Sequence, residues 1–133
     1  MTAVVLGGSG FLGSHLCDAL LARGQDVIAV DDLSTGRLQN IEHLTGNKSF
    51  KFVQADISLE LPDLGTPELI LNFASPASPP AYLSMPIHTM RTGSLGTMHA
   101  LELASKTNAR FVMASTSEIY GDPLEHPQTE SYW

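Results

Sequence analysis

A threonine, a serine and a glutamate stand together late in the chain, directly after an apolar run. Thr116, Ser117 and Glu118 follow Arg110–Ala114, a run that predicts a β-strand. A hydroxyl can hydrogen-bond a sugar oxygen while a hydride leaves, and a neighbouring carboxylate can transfer a proton or orient a departing group. The same residues could instead form a helix cap with a surface glutamate, and the sequence leaves both interpretations open.

A second candidate site is the glycine-rich turn Gly7–Gly13, between a predicted strand and a predicted helix. Gly7, Gly10 and Gly13 recur every third residue, and Gly8 completes a G-x-G-x-x-G pattern with the last two. Glycines permit a tight turn, the close approach of a pyrophosphate and the packing of the helix on its strand. The free N–H groups at the start of the helix attract phosphate. The turn therefore predicts a dinucleotide-binding site.

Acidic residues stand where such a site would use them. Asp31 ends the second predicted strand, near the ~20 residues expected after the glycine turn. A carboxylate there can accept hydrogen bonds from the adenosine ribose and would repel a 2′-phosphate. This favours NAD over NADP, although Arg37 in the same loop could meet such a phosphate. Asp56, just past the third strand, could contact the adenine amino group or cap a turn, and both interpretations stay open.

Buried strands that alternate with helices predict the elements that would position these residues. The pattern indicates an α/β domain over residues 1–133, with a doubly wound parallel sheet of the NAD(P)-binding Rossmann type that stops after about five strands. A proline-rich loop, Ser75–Pro80, follows the fourth strand. The predicted strands are Ala3–Leu6, Val27–Val30, Phe50–Val53, Leu69–Phe73 and Arg110–Ala114, and the predicted helices are Phe11–Ala22, a short one around Leu38–Leu44, and Pro86–Lys106.

The composition argues against several classes of protein. With 7 basic and 14 acidic residues, the net charge of −7 disfavours binding to nucleic acid or to an anionic membrane. The one cysteine, Cys17, excludes an internal disulfide, suits a cytoplasmic location and is expected to be a small buried hydrophobe. Neither a signal peptide nor a membrane-spanning apolar run is visible. The five histidines show no metal-ligand spacing with one another or with Cys17, so no metal site is expected.

Several segments together resemble the UDP-glucuronic acid decarboxylases, or UDP-xylose synthases, of the extended short-chain dehydrogenase/reductase superfamily. The Ala-Ser-Pro-Ala-Ser-Pro loop and the Thr-Ser-Glu triplet are the discriminating parts, because related epimerases usually lack both. The epimerases and dehydratases share the glycine turn and the Tyr-Gly that follows strand five. The segments that carry the resemblance are Gly7–Gly13, Asp31–Arg37, Asn72–Pro79, Ala114–Pro123 and His126–Trp133.

The resemblance implies a reaction and a role for each site residue. The family uses tightly held NAD to oxidise C4 of UDP-glucuronate, loses carbon dioxide from the β-keto acid, and reduces the ketone to give UDP-xylose. Thr116 would hydrogen-bond the C4 oxygen, and Ser117 and Glu118 would act near C5 and the carboxylate. Pro79, Tyr82 and, more weakly, Arg91 would bind the UDP-sugar substrate. The cofactor-binding residues would be Gly7, Gly10, Phe11, Leu12, Gly13, Asp31, Asp32, Ser34, Thr35, Gly36, Asp56, Ile57, Phe73, Ala74 and Ser75.

One family feature is absent from these 133 residues. Family members use a Tyr-x-x-x-Lys pair, in which the tyrosine is the base for C4 oxidation. Here Tyr82 is followed by Pro86 at the lysine position, Tyr120 by Leu124, and Tyr132 by no lysine at all. The remaining strands and the region that holds the uridine in the family are also missing. We therefore expect these 133 residues alone to lack decarboxylase activity and to be aggregation-prone or dependent on a partner.

Two alternatives to the decarboxylase hypothesis stay open. The chain could be a nucleotide-binding module without turnover, or it could belong to an NAD-dependent epimerase or dehydratase of the same superfamily. The family commonly forms homodimers through two helices per subunit, of which only the one at Pro86–Lys106 is predicted here. Gly93 replaces an asparagine that the superfamily often has at this position.

Overall fold

Five parallel strands form the centre of the molecule. The computed structural model describes all 133 residues, Met1–Trp133. The strands are β1 (Thr2–Leu6), β2 (Asp26–Asp31), β3 (Phe50–Gln54), β4 (Leu69–Asn72) and β5 (Arg110–Met113), and their order in the sheet is β3-β2-β1-β4-β5. Strands β1 to β3 are added toward one edge of the sheet, and β4 and β5 are added toward the other, so the strand order reverses between β1 and β4. This order confirms the doubly wound, Rossmann-like prediction.

Helices cover both faces of this sheet. They are α1 (Phe11–Ala22), α2 (Pro79–Ser84), α3 (Pro86–Arg91) and α4 (Thr97–Thr107). A π-helical turn at Thr92–Gly96 joins α3 to α4, and short 3₁₀ helices occupy Leu38–Asn40, Glu42–Leu44 and Ser117–Tyr120. None of the helices combines the length and the apolar character needed to cross a bilayer.

Side chains of β1 point alternately to the two faces of the sheet, so the core has two parts. Ala3 and Val5 point to the face covered by α1, whereas Val4 and Leu6 join the cluster that contains Ala100 of α4. Successive strand residues face opposite sides, and in a sheet covered on both sides each must be apolar. All four of these β1 side chains are fully buried. The carboxyl ends of β1, β2 and β4 are therefore fixed by the packed core on both faces of the sheet.

Cys17 confirms the expectation of a small buried hydrophobe. It is fully inaccessible to solvent on α1 and packs in the cluster with Ala3 and Val5. Burial raises the pKa of its thiol from 9.0 to about 12, and the neighbouring Asp18 carboxylate adds to the increase. Cys17 is therefore a structural residue.

The helices show three differences from the sequence expectations. The short helix predicted around Leu38–Leu44 is two separate 3₁₀ helices, Leu38–Asn40 and Glu42–Leu44. The π-helical turn interrupts the predicted helix Pro86–Lys106. The sequence did not show this turn, because the spacing of apolar residues does not reveal one extra residue within a helical turn. The loop after β4 also contains α2, which begins with two prolines, Pro79 and Pro80, at positions where the missing N–H groups cost little. The remaining bounds agree within one or two residues, and α1 was predicted at Phe11–Ala22 as found.

Candidate functional site

A cleft opens at the carboxyl ends of β1 to β4, beside the point where the strand order reverses. It encloses about 460 Å³ when the open space at its mouth is included. Most of the residues predicted to bind the cofactor are gathered there from loops that follow four different strands. Those that line the cleft are Gly7, Gly10, Asp31, Asp32, Ser34, Thr35, Gly36, Asp56, Ile57, Phe73, Ala74 and Ser75. The other three, Phe11, Leu12 and Gly13, lie in the first turn of α1 behind the glycine loop.

The glycine turn has the close contacts that its sequence predicts. Gly7 has φ of +80°, and a Cβ there would lie 2.7 Å from the carbonyl oxygen of Phe73. A Cβ on Gly13 would overlap the carbonyl oxygen of Gly7, so only glycine lets α1 approach the turn this closely. The N–H groups of Phe11, Leu12 and Gly13 donate to no backbone or side-chain acceptor, as the start of a helix leaves them. These three donors at the positive end of α1 suit an anionic ligand.

Asp31 holds the cleft wall together. Its Oδ2 accepts the Ser9 N–H at 3.0 Å and its Oδ1 accepts the Leu33 N–H at 2.9 Å, and the residue is only 8% exposed. Leu33 has φ of +64°, a conformation that costs about 1–3 kcal/mol in a residue other than glycine. A Cβ on Gly36 would collide with the Asp31 carboxylate. The residue predicted to bind ribose therefore also connects the glycine turn to the loop after β2.

Two further aspartates meet a histidine that the sequence analysis did not select. His88, on α3, places Nε2 at 2.9 Å from Asp32 Oδ2 and Nδ1 at 3.7 Å from Asp56 Oδ2. The other oxygen of each carboxylate accepts an N–H two residues on, from Ser34 and Ser58, both at 2.8 Å. Asp56 therefore caps a turn and also lines the cleft, and its contact with adenine stays a prediction.

This cluster also concerns the expectation about metals. Asp32, Asp56 and His88 each place one potential ligand atom within 4.8 Å of the others. No sequence spacing could show this, because the three residues come from three separate elements. The sequence expectation of no metal site considered only the spacing of histidines and Cys17, and it did not consider this group of two aspartates and one histidine.

Two buried hydroxyls near the cleft lack hydrogen-bond partners. Thr92, in the first position of the π-helical turn, lines the cleft, is 5% exposed, and its Oγ1 has no partner. Ser9 Oγ, beside Gly36, is equally unpartnered. A buried polar atom without a partner is uncommon, and beside a cleft it is available to a water, an ion or a ligand. Sequence reasoning missed Thr92 because a threonine on a predicted helix gives no signal of its own.

The Thr-Ser-Glu triplet lies at the same edge of the sheet but outside the cleft. Met113 at the end of β5 is in register with Asn72 at the end of β4, which in turn is in register with Leu6 of β1. Thr116 begins the 3₁₀ helix, where its Oγ1 donates to Glu118 Oε2 at 2.7 Å and accepts the Glu118 N–H at 3.3 Å. Ser117 is exposed like its neighbours. The triplet is thus a cap with an exposed carboxylate, and its catalytic role stays a prediction.

The predicted substrate residues lie on the helices beyond the cleft. Pro79 and Tyr82 are exposed on α2, and Arg91 is exposed at the end of α3. None of the three lines the cleft. Their predicted role in binding the UDP-sugar stays a prediction.

Comparison with known proteins places this architecture in a family. Residues 4–132 match the family model described as GDP-mannose 4,6 dehydratase. The chain belongs to this family. Curated proteins similar to this chain include UDP-glucuronic acid decarboxylase 1 of Arabidopsis thaliana, which is 48% identical over 98% of this chain and 29% of the relative. UDP-glucuronic acid decarboxylase 1 of Xenopus tropicalis is 45% identical over 98% of this chain and 30% of the relative.

Solved structures of related enzymes share the fold of this family member. The UDP-glucose 4-epimerase of Thermotoga maritima, solved with UDP-glucose, has a TM-score of 0.79 and 31% identity, over 94% of this chain and 41% of that chain. The UDP-glucose 4-epimerase of Bifidobacterium longum, solved with NAD⁺ and UDP, has a TM-score of 0.79 and 26% identity, over 98% and 42%. These comparisons confirm the Rossmann-like fold and the predicted resemblance to decarboxylases. The chain spans about 30% of the length of these decarboxylases.

Proposed function

We propose that the cleft binds NAD and that this chain is the dinucleotide-binding part of a UDP-glucuronate decarboxylase. The cleft fits a dinucleotide in three respects: its glycine cradle has no room for a Cβ, the start of α1 offers three free N–H groups, and Thr92 Oγ1 lacks a partner. NAD bound there would supply reversible hydride transfer at the sugar C4. A carboxylate at Asp31 disfavours a 2′-phosphate, which supports NAD over NADP.

The similarity to decarboxylases carries the choice of reaction. Identity of 48% over almost the whole chain to a UDP-glucuronic acid decarboxylase exceeds the 31% shared with the Thermotoga maritima epimerase structure. The proline-rich loop and the Thr-Ser-Glu triplet support the same choice. The substrate would be UDP-glucuronate and the product UDP-xylose, formed in the cytoplasm by a homodimeric enzyme.

Each residue of the chain would have a limited task in this reaction. The free N–H groups of Phe11 and Leu12 would bind the pyrophosphate of the cofactor. The proton of the Thr116 hydroxyl is held by Glu118, so Oγ1 would accept a hydrogen bond from the C4 hydroxyl of the sugar. The exposed Glu118 carboxylate could then exchange protons with the substrate near C5, which loses its carboxylate and must be protonated.

A product assay tests this proposal. Purified natural protein is incubated with UDP-glucuronate and NAD, and the nucleotides are separated and identified by mass spectrometry. We expect UDP-xylose and an equal amount of carbon dioxide. Residues 1–133 expressed alone should give neither, because no tyrosine among them is followed four residues on by lysine.

The alternative functions give different products in the same assay. An epimerase would convert UDP-glucose to UDP-galactose and would form no UDP-xylose from UDP-glucuronate above the background of the assay. A nucleotide-binding module would bind NAD, measured by calorimetry, without any product. Either result from the natural protein would contradict the decarboxylase proposal.

A further inference from the structure

The side chains that line the cleft include more acidic than basic groups. Asp31, Asp32 and Asp56 contribute three carboxylates to the wall, while the pyrophosphate of a dinucleotide carries two negative charges. Neither lysine nor arginine lines the cleft. His88 is the one lining side chain that can carry a positive charge.

His88 is placed to act on two of these carboxylates at once. Its imidazole lies between Asp32 and Asp56, with one ring nitrogen toward each, at 2.9 Å and 3.7 Å. All three side chains are about one-quarter exposed, so solvent screens the interaction only in part. Because the second oxygen of each carboxylate is fixed by a main-chain N–H, a carboxylate oxygen turned toward His88 has a defined position.

We propose that His88 is a cofactor-positioning residue, whose imidazole, in its protonated form, offsets the charge of Asp32 and Asp56 and holds both on the adenosine side of the cleft. This proposal rests on the proposed binding of NAD. The imidazole reaches the two carboxylates from α3, so it also joins the loops after β2 and β3 to the helix that continues into the Thr92 turn. Without the imidazole, Asp32 and Asp56 would have no side chain in the cleft wall that can carry a positive charge beside them.

Calorimetric titration with NAD tests the charge separately from the hydrogen bonds. His88→Gln keeps a neutral donor, His88→Lys keeps a cation, and His88→Ala removes both. We expect Gln and Ala to raise the Kd for NAD by roughly tenfold, the scale of one charge-assisted hydrogen bond. Lys should restore affinity to within about threefold of the wild type, and high salt should narrow the gap between Gln and wild type because it screens the repulsion.

A second histidine–aspartate pair provides the matched control. His43 lies 2.7 Å from Asp18, away from the cleft, so His43→Gln removes a similar pair without changing the cleft wall. Its Kd should equal that of the wild type. Thermal unfolding without NAD, measured for every variant, shows whether a loss of affinity comes from a loss of fold.

Distinct results would overturn this inference and the proposed function. If the wild-type protein does not bind NAD, the proposed function fails. If it binds NAD and His88→Gln binds equally well, or His88→Lys binds as weakly as His88→Ala, the charge role of His88 is wrong. Titration with zinc chloride alone should show no saturable binding. Saturable binding that His88→Ala abolishes would identify the cluster as a metal site and overturn the inference.

Discussion

Replacement of Asp31 by asparagine tests whether this carboxylate stabilises the cleft in the protein without cofactor. The native side chain accepts one N–H on each oxygen, from Ser9 and Leu33. Asparagine keeps one acceptor oxygen and turns an NH₂ group toward the other N–H, so one donor is left buried and unsatisfied. A hydrogen bond to a charged group contributes about 1.5–3 kcal/mol, and an unsatisfied buried donor costs about 1–3 kcal/mol. The unsatisfied donor is the consequence of the lost hydrogen bond, so the two figures describe one loss and are not added. They predict a loss of about 2–3 kcal/mol for Asp31→Asn without cofactor.

Urea unfolding of the NAD-free protein measures this loss. With a denaturant dependence of about 2 kcal/mol per molar, the midpoint should fall by about 1–1.5 M. Asp26→Asn is the matched control, because Asp26 begins the same strand, is exposed and has no side-chain hydrogen bond, and its midpoint should not move. If Asp31 served the ribose alone, Asp31→Asn would lose NAD affinity with an unchanged NAD-free midpoint. That result would refute the scaffold role described here.

Three further predictions concern single side chains. Gly13→Ala should destabilise by about 2 kcal/mol or more, because its Cβ overlaps the Gly7 carbonyl, whereas Gly93→Ala meets no atom within 4 Å and should be neutral or stabilising by up to ~1 kcal/mol in urea unfolding. Thr92→Val should raise the NAD-free melting temperature yet weaken NAD binding measured by calorimetry, since it removes an unpartnered buried hydroxyl; a variant with unchanged affinity would contradict this. Because the folded-state pKa of Cys17 is about 12 against 9.0, only the unfolded state loses the thiol proton as pH rises between these values. The thiol's contribution to the free energy of unfolding is therefore full below pH 9.0 and falls by about 1.4 kcal/mol per pH unit between 9.0 and about 12. Urea unfolding of Cys17→Ala should not show this fall with pH.

The sequence predicts the cleft well wherever a residue follows a strand directly. Gly7, Asp31, Asp56 and Phe73 each come at or just after the end of a predicted strand, and parallel strands bring their carboxyl ends to one edge. The lining was therefore predictable once the strands were recognised. The roles were less so, because nothing in the sequence shows that the Asp31 oxygens are already engaged with Ser9 and Leu33.

The helical contributions to the cleft could not be predicted in the same way. His88 and Thr92 reach it from α3 and the π-helical turn, and their contacts depend on how these elements dock against loops distant in sequence. Regular periodicity gave one continuous helix, whereas the structure inserts the turn at Thr92–Gly96. Such insertions occur frequently at functional sites, and this one places a buried hydroxyl at the cleft.

The two halves of the candidate site differ in how firmly the chain fixes them. On the cofactor side, Asp31, Asp32 and Asp56 are each held by main-chain hydrogen bonds, so this half is organised without a ligand. On the proposed reaction side, Thr116 and Glu118 are exposed and hydrogen-bond each other only locally. Catalysis requires reacting groups to be held in place and water to be excluded, and an exposed 3₁₀ turn does neither. Met113, which leads into this turn from β5, is itself 45% exposed. The triplet would therefore need to be shielded from solvent before it could act on a sugar C4, whereas the carboxylates of the cleft wall are already held in place.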